Sequence, residues 1–207
     1  MTERFIVRLN RVDLLTLSGV ISSSAAMALA IHGQPFWATA LLFLAMLGDA
    51  LDGIWARRRG VTREFGRYLD GFMDTLIYLL APALIWYLYL LPGFWSLVLP
   101  VMIASGCIRL SVFNQSGNIE MARGGLAYLG MPVFWSVFLL GASMLLALIV
   151  PLPILRPALS LCLLCFAVAM LWRAPFFKFT ALWQILTLTL GGALLFAGLS
   201  IGGASLP

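Results

Sequence analysis

The stretch Phe36–Leu90 reads FWATALLFLAMLGDALDGIWARRRGVTREFGRYLDGFMDTLIYLLAPALIWYLYL. Two apolar runs, each near the roughly 20 residues that cross a bilayer, are joined by a short arginine-rich link. Four aspartates interrupt them: Asp49 and Asp52 near the end of the first run, Asp70 and Asp74 at the start of the second. Asp49 and Asp52 are three residues apart, Asp70 and Asp74 four, so each pair shares a helix face. An ionisable side chain inside an apolar span is expensive and usually functional. A tight turn lets the two faces meet, and four carboxylates in one place repel each other unless cations neutralise them. Hard oxygen ligands suit Mg²⁺, Mn²⁺ or Ca²⁺. With arginines nearby, a divalent metal on such a cluster suits phosphate chemistry. Spacing alone leaves open a proton or cation pathway lined by acids, or helix packing through small residues.

The small residues lean toward phosphate. Gly53 follows Asp52, and Ala56 lies four residues after it. Gly66, Asp70 and Asp74 repeat every fourth residue as one stripe. Small side chains beside metal ligands leave room for a nucleotide or lipid phosphate to approach the backbone. Arg57, four residues after Gly53, can meet a phosphate with several donors.

Composition sets the solvent. Hydrophobic residues make up 62% of the chain and charged residues 10%, against about 45–50% and about 25% in ordinary soluble domains. A soluble fold of 207 residues could not hide that much apolar surface. The expected class is an all-α, polytopic membrane helix bundle forming a single integral-membrane domain over residues 1–207. Apolar runs predict seven spans, at about 13–32, 36–56, 68–90, 94–114, 130–150, 156–172 and 179–201. The breaks between them carry turn residues, such as His32-Gly33-Gln34-Pro35 and Leu91-Pro92-Gly93. No strand alternation persists, and lipid offers backbone groups no other partner, so the spans are read as helices. The arginines ahead of the first run, Arg4, Arg8 and Arg11, resemble a signal-peptide start; we read the segment as a first span.

Charge placement tests the count. With the N-terminus in the cytoplasm, Arg4, Arg8, Arg11, Arg57, Arg58, Arg59, Arg63, Arg67, Arg109, Arg123, Arg173 and Lys178 all fall on the cytoplasmic side. Of the 13 basic residues only Arg156 falls on the other, as the positive-inside rule predicts. The same placement explains the net charge of +5 without nucleic acid as a partner. Cys162 and Cys165 form a C-x-x-C with no further Cys or nearby His to complete a zinc site; they and Cys107 read as buried helix-face residues. His32 is predicted on the membrane face opposite the aspartates and has no catalytic role.

Asp49 to Asp74 spells D-x2-D-G-x2-A-R-x8-G-x3-D-x3-D, which resembles the signature of the CDP-alcohol phosphotransferase family. The resemblance implies six core helices around a cytoplasm-facing polar cavity, in a homodimer. It implies that Asp49, Asp52, Asp70 and Asp74 surround two divalent ions, Mg²⁺ or Mn²⁺. Asp52, Gly53, Ala56, Arg57 and Gly66 would line the site for a lipid of the CDP-diacylglycerol type. Asp74 would also act as general base toward a small alcohol acceptor. A multi-pass protein of a prokaryotic cell membrane is the implied setting.

Further blocks follow in order. Leu80-Ala-Pro-Ala83, Arg109-Leu-Ser-Val-Phe-Asn114, Gly130-Met-Pro132 and Arg173-Ala-Pro-Phe-Phe-Lys178 are similar to the phosphatidylserine synthase branch. Ser111, Val112 and Ala174 depart from it. L-serine is then the implied acceptor, with Arg109 for its carboxylate and Asn114 for orientation. Inositol phosphate, glycerol phosphate and choline are the alternatives with the same chemistry. A non-enzymatic metal or proton carrier is the alternative of another class. Asn118, Glu120 and Arg123 could complete an acceptor pocket or lie in a solvated loop. Asn10, Asp13 and Thr16 open the first span, where Asp13 suits a capping role.

Overall fold

The computed structural model describes residues 6–7, 9–59, 63–116, 119–120, 126–176 and 181–206, with backbone only at 56–59, 116, 119–120 and 126–127. Helix α1 (Arg11–Ile31) starts at an Asn10 cap. The Asn10 side chain accepts from the Asp13 N–H, and the Asp13 carboxylate accepts from the Asn10 N–H, a reciprocal pair that satisfies two donors the helix start would otherwise leave open. Its buried positions are Asp13, Thr16, Gly19, Ser23, Ala26 and Ala30. They recur at three or four residues and are small, which lets α1 pack closely on its neighbours where lipid gives no hydrophobic drive for association.

α2 (Pro35–Arg59) returns across the bundle. α3 (Glu64–Asp74), a π-helical segment at Thr75–Leu80 and α4 (Ala81–Tyr89) run on as one helix. A short 3₁₀ turn at Gly93–Leu97 leads into α5 (Val98–Ser116). The sequence continues through α6 (Trp135–Ala147), α7 (Leu152–Leu171) and α8 (Leu182–Ile201). Six helical stretches, all but α6, are long and apolar enough to cross a membrane. The chain is thus an all-α polytopic bundle.

Three features differ from the sequence reading. The fifth apolar run, expected to span 130–150, is helical only over the 13 residues of α6. Gly130 has a positive φ of 75° and packs so tightly on the Met170 carbonyl that no side chain fits there. The Gly130 N–H donates to the Ala174 carbonyl and the Met131 N–H to the Ala169 carbonyl, each at 3.0 Å. Residues 130–134 are therefore held as irregular chain against the end of α7. Secondly, a three-stranded antiparallel sheet caps this end of the bundle: β1 (Ile119–Glu120), β2 (Leu126–Leu129) and β3 (Pro175–Phe176) in that order. Tyr128 pairs with Phe176 and Leu129 with Pro175. The strands are too short to show alternation. Thirdly, Cys162 and Cys165 are exposed on the outer face of α7 rather than buried; the buried α7 residues Leu155, Leu159, Leu163 and Phe166 occupy its other face.

The far end of the bundle is pinned by side chains. Tyr89 Oη donates to the Ala30 carbonyl at 2.6 Å, and Arg156 Nε to the Leu90 carbonyl at 3.1 Å. Both carbonyls belong to helix ends, which lack intrahelical donors. His32 caps α1 at this same end. Within the bundle, fully buried Trp86 gives its indole N–H to Ser143 Oγ at 2.9 Å.

α8 is locked to α2 by shape. A Cβ at Gly192 would come within 2.5 Å of the Phe43 ring, and that ring is held by Phe196 and Phe138 at centroid distances of 5.8 and 5.7 Å. A rigid ring with neighbours on both sides cannot swing aside. Gly192→Ala is expected to cost roughly 1–3 kcal/mol, the usual range for overpacking. Thermal unfolding in detergent checks this; an unchanged midpoint would mean that α8 retreats from α2 freely.

Candidate active site

Asp49 lies ten residues before the end of α2 and Asp74 ten residues after the start of α3. At a rise of 1.5 Å per residue, both sit roughly 15 Å below the ends of their helices. They face a cavity of about 190 Å³ lined by α2 (Asp49, Gly53), α3 (Asp70, Asp74), the π segment (Tyr78) and α5 (Arg109, Phe113). Tyr128 of β2 and the irregular stretch Pro132–Phe134 complete its wall, and α8 contributes Ile185. The cavity occupies the level where α6 would begin if it were as long as its neighbours.

One carboxylate oxygen from each of Asp49, Asp70 and Asp74 lies within 4.8 Å of the others. Three hard, anionic oxygen donors at that separation fit a divalent ion of the Mg²⁺ or Mn²⁺ kind. Asp52 is not one of the three. It is 2% exposed and borders a second, smaller cavity of about 130 Å³ beside Thr16, Ser18 and Ser22 of α1. Three residues along a helix is 60° short of a full turn, and Asp52 borders the smaller cavity while Asp49 borders both.

Arg109 is the cation among the described lining residues. Its side chain is 6% exposed, and its guanidinium carbon lies 5.2 Å from the Phe113 ring centroid and 5.5 Å from that of Tyr128. Stacking on two aromatic faces stabilises a charge that has left water. Its Nε and Nη2 have no hydrogen-bond partner among the described residues. A buried guanidinium is costly unless anions meet it; Asp74 faces it across the same cavity, and the Nε and Nη2 donors stay open to a further acceptor.

The other sequence candidates are distributed around this core. Gly53 lines the cavity. Gly66 faces Asp13, whose carboxylate oxygen is 3.8 Å from where a Cβ would be. Asp13 also pairs with Arg63, tying the start of α1 to the start of α3. Asn114 is half-buried, with its amide over Gly71 and its carbonyl accepting from Arg67 Nη1 at 3.1 Å; it is not among the described lining residues. The side chains of Ala56, Arg57 and Glu120, and all of Asn118, Arg123 and Lys178, lie outside the described residues.

Tyr78, Tyr128 and Phe134 line the site without having been assigned a role from the sequence, and Phe113, quoted there only within the Arg109–Asn114 block, lines it too. For Tyr78 a signal existed. The stripe Gly66, Asp70, Asp74 continues at the same interval to position 78. Tyr78 Oη donates to Asp49 Oδ2 at 2.7 Å.

Comparison with known proteins identifies the family. A family described as CDP-alcohol phosphatidyltransferase matches residues 9–192. The chain is similar to archaetidylserine synthase of Methanothermobacter thermautotrophicus, 31% identical over 125 residues, covering 58% of this chain and 52% of that protein. It is similar to phosphatidylcholine synthase of Pseudomonas aeruginosa, 32% identical over 131 residues, covering 61% and 53%. It is also similar to CDP-diacylglycerol–serine O-phosphatidyltransferase of Bacillus subtilis, 29% identical over 123 residues, covering 58% and 67%. The chain thus spans about half the length of the first two of these relatives. With the matched region extending from the cap of α1 into α8 and enclosing every described cavity residue, the chain belongs to the CDP-alcohol phosphatidyltransferase family.

Proposed function

We propose that this protein transfers a phosphatidyl group from a CDP-linked lipid, such as CDP-diacylglycerol, to the hydroxyl of L-serine, releasing CMP and forming phosphatidylserine. The observation that carries the reading is Arg109: a buried guanidinium with two free N–H donors, on the same cavity as three clustered aspartates. An acceptor that brings an anion satisfies the guanidinium, while the carboxylates hold the cations that a pyrophosphate needs. Serine brings a carboxylate next to a hydroxyl. Choline, the headgroup in the name of one relative, brings no anion and would leave the Nε and Nη2 donors of Arg109 unmet. Glycerol phosphate and inositol phosphate bring a doubly charged phosphate, for which Arg109 is the one cation among the described lining residues.

In this reading Asp49, Asp52, Asp70 and Asp74 hold two divalent ions, Mg²⁺ or Mn²⁺. Held by these carboxylates, such ions would supply Lewis-acid polarisation of the pyrophosphate and charge neutralisation for the departing CMP. Asp52, Gly53, Ala56, Arg57 and Gly66 hold the CDP-lipid. Arg109 takes the serine carboxylate and Asn114 helps orient the acceptor. The serine oxygen forms the new bond to the phosphorus that carries the lipid, its proton passes to Asp74, and the bond to CMP breaks with the electron pair leaving on CMP. The irregular wall at Pro132–Phe134 and the rings of Phe113 and Tyr128 limit water on the acceptor side.

A cytoplasmic active site is part of the proposal. Arg11, Arg63, Arg67, Arg109 and Arg173 lie toward the site end of their helices and Arg156 toward the other, which supports that orientation under the positive-inside rule. So is a homodimer in a prokaryotic cell membrane, built from a single domain over residues 1–207; light scattering of the purified protein measures the assembly. The test of function is CMP release from CDP-diacylglycerol in a divalent metal, with serine, choline, glycerol 3-phosphate or inositol phosphate as acceptor. Serine-dependent release is expected. Release with a different acceptor reassigns the product, and no release with any would leave a metal or proton carrier.

Arg109→Ala separates the acceptor from the lipid. Losing a bidentate, charge-assisted contact costs roughly 2–4 kcal/mol, about thirtyfold to a thousandfold in affinity. The serine KM is expected to rise by that factor while the CDP-lipid KM stays nearly unchanged. Equal loss for both substrates would assign Arg109 to the pyrophosphate or to folding.

A further inference from the structure

We propose that Tyr78 is a positioning residue for the metal site: its hydroxyl holds one oxygen of Asp49 and so presents the other oxygen to a divalent ion. The inference rests on the metal reading above and extends it to a residue outside the aspartate pattern. Tyr78 is 2% exposed, lines the cavity with Asp49, Asp70 and Asp74, and donates to Asp49 Oδ2 at 2.7 Å.

Asp49 needs such a tether because it stands between two cavities. It borders the space it shares with Asp70 and Asp74, and also the smaller one lined by Thr16, Ser18 and Ser22. A carboxylate turns easily about its last torsion, and the repulsion of two neighbouring carboxylates favours turning away. The phenol occupies one oxygen with a directed bond, so the remaining oxygen keeps its aim. It adds a donor to a cluster made otherwise of acceptors, and does so without adding a charge. Partners of this kind, behind a metal ligand, commonly account for tenfold to a hundredfold in metal affinity.

The backbone is arranged to hold the ring in place. The π segment Thr75–Leu80 begins directly after Asp74, and π turns inside α-helices are frequent at functional sites because they reset the phase of the helix. Pro82 has no N–H for the preceding turn. The Tyr78 carbonyl, four residues earlier, accepts the Ser136 hydroxyl of α6 instead. Tyr78 is thus anchored through its carbonyl to α6 and through its hydroxyl to α2.

The experiment is a Mn²⁺ titration of the full chain in detergent, read by the electron paramagnetic resonance of free Mn²⁺. Tyr78→Phe keeps the ring and removes the donor. It is expected to weaken Mn²⁺ binding by about tenfold to a hundredfold and to leave the metal-free unfolding midpoint within a few degrees of wild type. Tyr78→Met, equally without a donor but more adaptable in packing, is carried alongside and should lose the same factor. In an Asp49→Asn background, Tyr78→Phe should weaken Mn²⁺ binding no further. Wild-type affinity in Tyr78→Phe, or an equal loss in the Asp49→Asn background, overturns the proposal and leaves the metal reading standing. Absence of Mn²⁺ binding by the wild type overturns both.

Discussion

Asp74→Asn is expected to bind CDP-lipid within about tenfold of wild type and to lose between roughly 10² and 10⁴ in kcat, the range that general-base catalysis supplies. Asp74 lies one turn beyond Asp70 on the same stripe and lines the cavity together with Arg109. An acceptor whose carboxylate sits on Arg109 therefore brings its hydroxyl into the space that Asp74 faces. A serine hydroxyl is a poor nucleophile at neutral pH, so its proton needs a receiver within hydrogen-bond reach. Asparagine keeps the shape and much of the packing but cannot take that proton. Asp52→Asn should behave differently, weakening metal and CDP-lipid binding together. Equilibrium CDP-lipid binding and single-turnover CMP release on both variants distinguish the roles. Near-normal turnover in Asp74→Asn would place the base elsewhere while leaving the family assignment intact.

Transfer is expected to fall to background in excess chelator and to return with Mg²⁺ or Mn²⁺. The argument is electrostatic. Three carboxylate oxygens lie within 4.8 Å of one another, where two like charges repel by roughly 3 kcal/mol or more at an effective dielectric of about 20. Three such pairs in a bundle of apolar helices need a neutralising partner, and Arg109 supplies a single positive charge. A divalent ion meets the need with hard oxygen ligands already in place. CMP release before chelation, after it and after metal is restored checks the expectation. Full turnover in chelator would sink the metal reading.

Much of this was legible because lipid narrows the choices. Apolar runs of about 20 residues can only be helices, so the positions of α1 to α5, α7 and α8 follow from composition and turn residues. The aspartate spacings then place Asp49, Asp70 and Asp74 on facing stripes. Asp52 borders the smaller cavity beside α1, a placement the spacing alone does not show. The start of α6 was not legible: residues 130–134 are as apolar as a span, and only the contact of Gly130 with the Met170 carbonyl shows why they stay irregular. Tyr78 hid in an apolar run for a similar reason. A tyrosine there reads as packing until the π segment and the Asp49 hydrogen bond are seen. One partner of Arg109, Phe113, lies four residues along the same helix, but the other was invisible, since Tyr128 reaches it from a strand that no alternation announces.

The late start of α6 has a consequence for the lipid. A helix of 13 residues is about 20 Å long, against a hydrocarbon core of about 30 Å. The cavity it leaves room for is reached by aspartates about ten residues, roughly 15 Å, from the ends of α2 and α3. Under the proposed function, this would let the headgroup of a CDP-linked lipid sink to the carboxylates while the tails remain among their neighbours. Lifting tails into water would cost roughly 0.8 kcal/mol for each methylene exposed. A recessed cavity would avoid that extraction, so that in the proposed reaction the energy of binding could go into gripping the pyrophosphate.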